Sequence, residues 1–320
     1  MPFPTNEQRA ILESNDRLVI VEAAPGSGKT HLFIEFMKLN LTRFVDPRSG
    51  IAALSFTNAA RDEIQTRLGL VLDSNHFIGT LDAFMYRFVV KPFAPALGLH
   101  EHGVRLLAAP LDEEQRSFQV QHGPTARNQA SLFSIKFVDG SIAAPVMHVR
   151  DRGAYGRPHL VHAEREAPVL RRKHEMWTSH GLITHSDCAY IAAKILSDSV
   201  LGPQVIEILS RRFPMILVDE VQDTGRFLSV ALTKLLESDR VESLVVGDPD
   251  QSIYGFSGAN PNLFNELRTI PGAVVYPLTQ TQRCSQGICD AASHLSATGR
   301  QIVPDADVQP GRQILLVHRQ

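Results

Sequence analysis

The chain has 320 residues, of which 43% are hydrophobic and 21% charged, with a formal net charge of −2; it can bury a sizeable core and cannot bind nucleic acid through bulk basicity. Its three cysteines, Cys188, Cys284 and Cys289, exclude a disulfide framework, suit a reducing compartment and show no zinc-like pairing. No N-terminal apolar run resembles a secretory leader and no stretch of about 18 apolar residues could span a membrane, so a cytoplasmic location without a membrane partner is expected.

In chain order, Leu18-Val19-Ile20-Val21 is a short β-branched run of the kind that forms a buried parallel strand. It leads into Ala23-Ala24-Pro25-Gly26-Ser27-Gly28-Lys29-Thr30, a phosphate loop with Ala23 where the pattern usually opens on Gly. Gly26 and Gly28 let the backbone turn so that successive N–H groups face the phosphates, and a helix from Thr30 adds its dipole. Lys29 reaches the β- and γ-phosphates of ATP, and the Thr30 hydroxyl holds Mg²⁺. Such a loop alone belongs to many nucleotide-binding proteins, a small-molecule kinase among them. Ile51-Ala52-Ala53-Leu54 reads as the next strand, with Asn58 capping a helix from Ala59 to Leu68 before Gly69. Phe77-Ile78 leads into Gly79 in the same way.

From about 91 to 180 the pattern dissolves, with Pro92, Pro95, Pro110, Pro124, Pro145, Pro158 and Pro168 interrupting any helix. Residues 132–141 alternate like a strand running into the Asp139-Gly140 turn, so a small mixed or β-containing module is expected there. Its histidines, including His100, His102, His159 and His162, lack cysteines or a helical pair to make a zinc site. Arg171-Arg172-Lys173 and Arg211-Arg212 are the compact basic clusters, either solvated faces or contacts to DNA.

Met215-Ile216-Leu217-Val218 is a further buried strand that delivers Asp219 and Glu220 at its carboxyl end, where open α/β sheets bind ligands. Asp219 contacts Mg²⁺ directly or through water, and Glu220 polarises the attacking water. Leu244-Val245-Val246 is a third strand of this type, ending in Gly247-Asp248, with Gln251 placed to sense the γ-phosphate and pass its presence to Tyr254-Gly255-Phe256. Strand and helix in alternation predict an α/β parallel sheet with helices on both faces. Phosphate loop, Asp-Glu and Gly-Asp-Pro-Asp-Gln in this order point to an ATPase that moves on nucleic acid.

With these residues in view, the chain resembles the N-terminal half of superfamily 1 DNA helicases of the UvrD/Rep type. Thr5-Asn6-Glu7-Gln8-Arg9 resembles that family's adenine-reading glutamine motif, Ser55-Phe56-Thr57-Asn58-Ala59-Ala60 its Thr-Phe-Thr-Asn segment, and Gly79-Thr80-Leu81-Asp82-Ala83-Phe84 its Gly-Thr-Phe-His-Ser-Phe segment. Gly181–Asp187 resembles the stretch re-entering the first motor domain, and Leu278–Cys284 resembles Leu-x-x-Asn-Tyr-Arg-Ser.

The resemblance implies two RecA-like domains with ATP between them and single-stranded or forked DNA across their tops, unwound by 3′ to 5′ movement. It makes Gln8 the base reader and Arg283 the γ-phosphate arginine. It also makes Phe56, Thr57, Asn58, Thr80, Tyr254 and Phe256 the DNA contacts, the two phenylalanines offering either stacking faces or core packing. Departures are Gln282 in place of the tyrosine that stacks on adenine, His31 in place of an arginine, Ser257 in place of a charged residue, and Asp82 in place of a histidine, where a carboxylate repels phosphates unless paired. The implied division is a first RecA-like domain over 1–90 and 181–273, an accessory subdomain over 91–180, and the start of a second RecA-like domain over 274–320. Gly311–His318 would be a new strand there. A fragment or split motor is expected, its partner the missing motor half or a nuclease; the alternative is an ATP- and DNA-binding switch without unwinding of its own. Relatives serve repair, recombination, plasmid replication and phage defence.

Overall fold

A computed structural model of the chain describes residues 4–44, 46–107, 110–149, 158–251, 260, 262–296, 298–305 and 308. Tyr254, Phe256 and the strand expected over 311–318 lie outside the described residues. At the centre is a six-stranded sheet of β1 (Leu18–Ala23), β2 (Ile51–Ser55), β3 (Phe77–Thr80), β4 (Met215–Val218), β5 (Glu242–Gly247) and β6 (Ala273–Leu278), in the order β6-β1-β5-β4-β2-β3. Every neighbouring pair is parallel.

The near-continuous apolar runs follow from burial on both faces. Along β1, Leu18 and Ile20 enter one apolar cluster and Val19 and Val21 the other; Ile216 and Val218 of β4 divide from Met215 and Leu217 in the same way. The second cluster is closed by Ile11 of α1 (Asn6–Leu12), by Leu32, Phe33 and Met37 of α2 (Lys29–Asn40), and by Ile64 and Leu68 of α3 (Asn58–Leu68). Asn58 does not cap α3. Thr57 does, from an extended backbone, its Oγ1 accepting from the Ala60 N–H at 3.1 Å, while Asn58 is the first helical residue.

Residues 91–180 hold a hairpin of Gln119–Gln121 with Gln129–Ser131, and an antiparallel sheet of Ile135–Gly140, Pro145–Val149 and His159–Leu160. Pro168 does not break the helix here but sits inside α4 (Ala163–His180). One backbone hydrogen bond is forgone, and burial of Val169, Met176 and Trp177 along one face of α4 offsets it. The module shares its core with the six-stranded sheet: Phe137, Met147 and Trp177 lie in one cluster with Leu18 and Ile20, with Tyr190 of α5 (His185–Ser197), Leu209 of α6 (Leu201–Arg212) and Phe227 of α7 (Arg226–Leu236). Phe137 stacks on Tyr190 with centroids 4.4 Å apart, and the Tyr190 hydroxyl donates to the Ile142 carbonyl at 2.7 Å.

At the other edge, Ala273–Leu278 runs across the boundary expected after residue 273, and the whole strand pairs in the first sheet: β6 lies beside β1 from Leu18↔Ala273 to Ala23↔Leu278. Beyond β6 lies a short parallel pair, Gln280–Thr281 with Val303–Pro304, flanking α8 (Gln286–Leu295).

Candidate nucleotide site

The carboxyl ends of β1, β4, β5 and β6 open onto a cleft of about 1030 Å³. Its floor is Pro25, Gly26, Gly28, Lys29 and Thr30, and its walls carry Gln8, Glu220, Gln251, Gln282 and Arg283. Ala23, Ala24 and Ser27 are buried behind the loop. The Ala24 N–H donates to the Leu278 carbonyl at 2.8 Å, and Ser27 presents its carbonyl to Gln8.

Both loop glycines are required by geometry. Gly26 has φ +74°, and a Cβ there would lie 2.7 Å from both Arg283 Cβ and Thr281 Oγ1; Gly28 has φ +84°, and its Cβ would lie 2.8 Å from Gln8 Nε2. The loop is thus in van der Waals contact with two elements far apart in sequence. Arg283 is set by a lacing of the segment after β6: Gln282 N–H donates to the Gly26 carbonyl at 3.1 Å, and the Thr279 N–H and hydroxyl donate to Glu7 of α1 at 2.9 and 2.6 Å. Gln8 is engaged with the chain itself. Its Nε2 donates to the Ser27 carbonyl at 3.0 Å and its Oε1 accepts from the Thr5 N–H at 3.1 Å, closing a capping box on α1.

Glu220 lines the cleft in a left-handed backbone, φ 53°, the single non-glycine residue with positive φ among those described. Its Oε2 accepts from Gln222 Nε2 at 2.6 Å, and Gln222 Oε1 accepts from the Asp248 N–H at 3.0 Å. Gln251 Nε2 donates to Asp248 Oδ2 at 2.6 Å. Asp219 is 3% exposed beneath the cleft. Burial, then the Glu220 charge, pushes its carboxyl up to about 7, against a backbone hydrogen bond and Lys29. Asp223 is pushed up to about 6 by the same two causes, and its Oδ1 is buried with no hydrogen-bond partner.

These carboxylates suit a cation. Among the described residues no three His, Cys, Asp or Glu side chains converge to hold a metal unaided.

The Asp219 pKa fixes a sign. Its folded value lies above its unfolded one, so the native state holds a proton that the unfolded chain loses between about pH 4 and pH 7, and metal-free stability falls as pH rises through that window. Thermal melts without nucleotide are expected to show this fall, and Asp219→Asn to make it shallower below about pH 6 and to abolish it above, leaving the part that Asp223 contributes. An unchanged slope in Asp219→Asn would assign the titration elsewhere.

Among the described residues predicted for DNA, Phe56, Thr57, Asn58 and Thr80 do not line the cleft. Ser55 and Thr80 are register partners at the carboxyl ends of β2 and β3, so the segment Phe56-Thr57-Asn58 leaves β2 beside the end of β3. Thr57 and Thr80 use their hydroxyls as N-caps, Thr80 Oγ1 accepting from the Ala83 N–H at 3.2 Å, and Asn58 Oδ1 accepts from Arg61. Burial raises the Asp82 carboxyl, with His185 the opposing charge.

The basic clusters are largely spoken for. Lys173 is fully buried against Asp187, Arg172 pairs with Glu175, Arg211 with Glu207, and Arg212 donates to the carbonyls of Ser74 and Asn75. No sequence signal marks Arg300, whose Nη2 bonds Asp248 Oδ1 at 2.5 Å and Asp250 Oδ2 at 3.0 Å.

The family model described as "UvrD/REP helicase N-terminal domain" matches residues 4–270. The chain belongs to the UvrD/REP helicase family. "DNA helicase II" of Salmonella typhimurium is 26% identical over 300 residues, covering 91% of this chain and 40% of that protein. "Gabija protein GajB" of Bacillus cereus is 26% identical over 288 residues, covering 90% and 48%. A solved Pif1 helicase from Candida albicans has a TM-score of 0.36 at 12% identity, over 87% of this chain and 40% of that one, a likeness too slight to weigh. This UvrD/REP chain therefore spans about 40% of the length of the DNA helicase II it matches. Among its described residues no helix is long and apolar enough to cross a membrane.

Proposed function

We propose that this UvrD/REP domain binds ATP in the cleft, hydrolyses its β–γ bond with water and couples the cycle to movement 3′ to 5′ along single-stranded DNA. The observation that carries the reading is convergence: Lys29 and Thr30, Glu220, Gln251 and Arg283 come from four separate stretches of sequence and line one cavity. Lys29 and Arg283 neutralise charge on the transferring phosphoryl group, Glu220 orients and deprotonates the attacking water, and Gln251 contacts the γ-phosphate. Thr30 and Asp219 would hold Mg²⁺, which when bound would withdraw charge from the phosphates. DNA would cross the carboxyl ends of β2 and β3, where Phe56 and its neighbours sit, a contact worth about 1–3 kcal/mol per stacked base. Family membership favours nucleic acid over a small-molecule acceptor.

The test is the steady-state ATPase rate of this chain with and without single-stranded DNA, using Lys29→Ala as the blank. Turnover that DNA stimulates and Lys29→Ala abolishes is the expected result. A rate unchanged by Lys29→Ala would sink the site assignment, and ATP binding without stimulation would favour a binding switch that leaves unwinding to another polypeptide.

A further inference from the structure

We propose that Arg300 is a positioning residue for ATP hydrolysis, through which the segment after β6 holds Gln251 and Glu220 in register. The inference rests on the hydrolytic reading of the cleft.

Arg300 is 8% exposed and its two carboxylate partners are Asp248, fully buried, and Asp250. Asp248 has a second duty. Its Oδ2 accepts from Gln251 Nε2 at 2.6 Å, which fixes the amide that lines the cleft, while its backbone N–H donates to Gln222 Oε1 at 3.0 Å. Gln222 in turn donates to Glu220 at 2.6 Å. The contact between Gln222 and Asp248 depends on Gly247, where a Cβ would lie 2.5 Å from Gln222 Oε1. A continuous polar chain therefore runs from the base, Glu220, to Arg300.

The far end is fastened to a different part of the protein. Asp250 Oδ2 also accepts from the Ser296 hydroxyl at 2.7 Å, and Ser296 Oγ accepts from the Arg300 N–H at 3.1 Å, just beyond α8. A shift of α8 and its following turn must move Arg300, and with it the carboxylate on which Gln251 rests. Nε and Nη1 of Arg300 are buried and make no hydrogen bond, so its hold on the two aspartates is by Nη2 alone.

The experiment uses the full chain. ATP turnover, the affinity for a non-hydrolysable ATP analogue, and hydrogen–deuterium exchange over residues 219–224 and 248–251 are compared for wild type, Arg300→Ala, Arg300→Lys and the Arg300→Ala/Asp248→Asn pair. Arg300→Ala should lower kcat roughly 10- to 100-fold with analogue affinity within about twofold, and should quicken exchange at 248–251. Arg300→Lys should recover part of kcat. In the double variant the buried charge is gone while the Asn carbonyl still accepts from Gln251, so thermal stability should return without the lost kcat. Wild-type kcat and exchange in Arg300→Ala would overturn the proposal, as would full recovery of kcat in the double variant, which would reduce Arg300 to a neutralising charge. A wild-type chain with no Lys29-dependent turnover would refute the hydrolytic reading, and the exchange comparison with analogue bound would then decide the Arg300 linkage alone.

Discussion

Glu220→Gln is expected to keep ATP binding and lose turnover by roughly 10²- to 10⁴-fold, the span that a positioned general base commonly contributes. The backbone at this residue sets the geometry. A non-glycine residue at φ 53° costs of order 1–3 kcal/mol and persists where the surroundings over-determine it. Here the Glu220 N–H donates to Asp219 Oδ1 at 3.0 Å and its carboxylate accepts from Gln222. The strain aims the carboxylate from the end of β4 into the cleft that Lys29 and Arg283 share. Glutamine has the same length, and its Oε1 can still accept from Gln222, so the local fold should stand. What it cannot do is take a proton from water. The substitution also removes the Glu220 charge, the second-largest cause of the raised Asp219 and Asp223 pKa values, so both should fall and cation affinity near neutral pH should not suffer for want of ionisation. Single-turnover hydrolysis alongside analogue binding checks this. Lost binding with preserved turnover per bound nucleotide would mean that Glu220 holds the ligand rather than the water.

Legibility in the sequence tracks the range of the interactions involved. Lys29, Thr30, Asp219, Glu220 and Gln251 stand out because phosphate binding and strand-end carboxylates carry short local signatures, and apolar runs such as Met215–Val218 need no partner to be read as buried strands. The membership of β6 does not show in this way. Ala273–Leu278 is half exposed along its length, and its place beside β1 is a matter of long-range pairing. Arg300 is silent for the same reason: a lone arginine after Gly299 gives no hint that Asp248, 52 residues earlier, is its partner. The basic run 171–173 misleads in another manner. Counted as charges it forms a patch, but Val169, Lys173, Met176 and Trp177 recur at helical spacing, and that period already places Lys173 on the buried stripe of α4. Pro168 likewise reads as a breaker only when the apolar face around it is left out.

Lys173→Met is expected to destabilise the chain by about 3–5 kcal/mol, the cost of leaving one member of a buried ion pair alone. Lys173 Nζ lies 2.5 Å from Asp187 Oδ1 with both side chains at 0% exposure, and 5.2 Å from the centroid of the Phe137 ring. Asp187 is already committed at its other oxygen, which accepts from the Thr184 N–H at 2.9 Å in the capping box of α5. Without the ammonium, a carboxylate stays in an apolar setting built by Phe137, Trp177 and Tyr190, and the cap that starts α5 is pulled with it. Met supplies a stem of similar volume, so the loss reports charge rather than a cavity. Lys173→Met/Asp187→Asn should recover more than half of the stability, because the amide still accepts from Thr184 and no buried charge remains. Urea midpoints at fixed slope measure both variants. A double variant no better than the single would mean that the pair's geometry, not its charge, joins α4 to α5. Because α5 packs in the same cluster as Leu18 and Ile20 of β1, that join bears on the strand that delivers the phosphate loop. The single variant should accordingly lose nucleotide binding at temperatures where the double variant retains it.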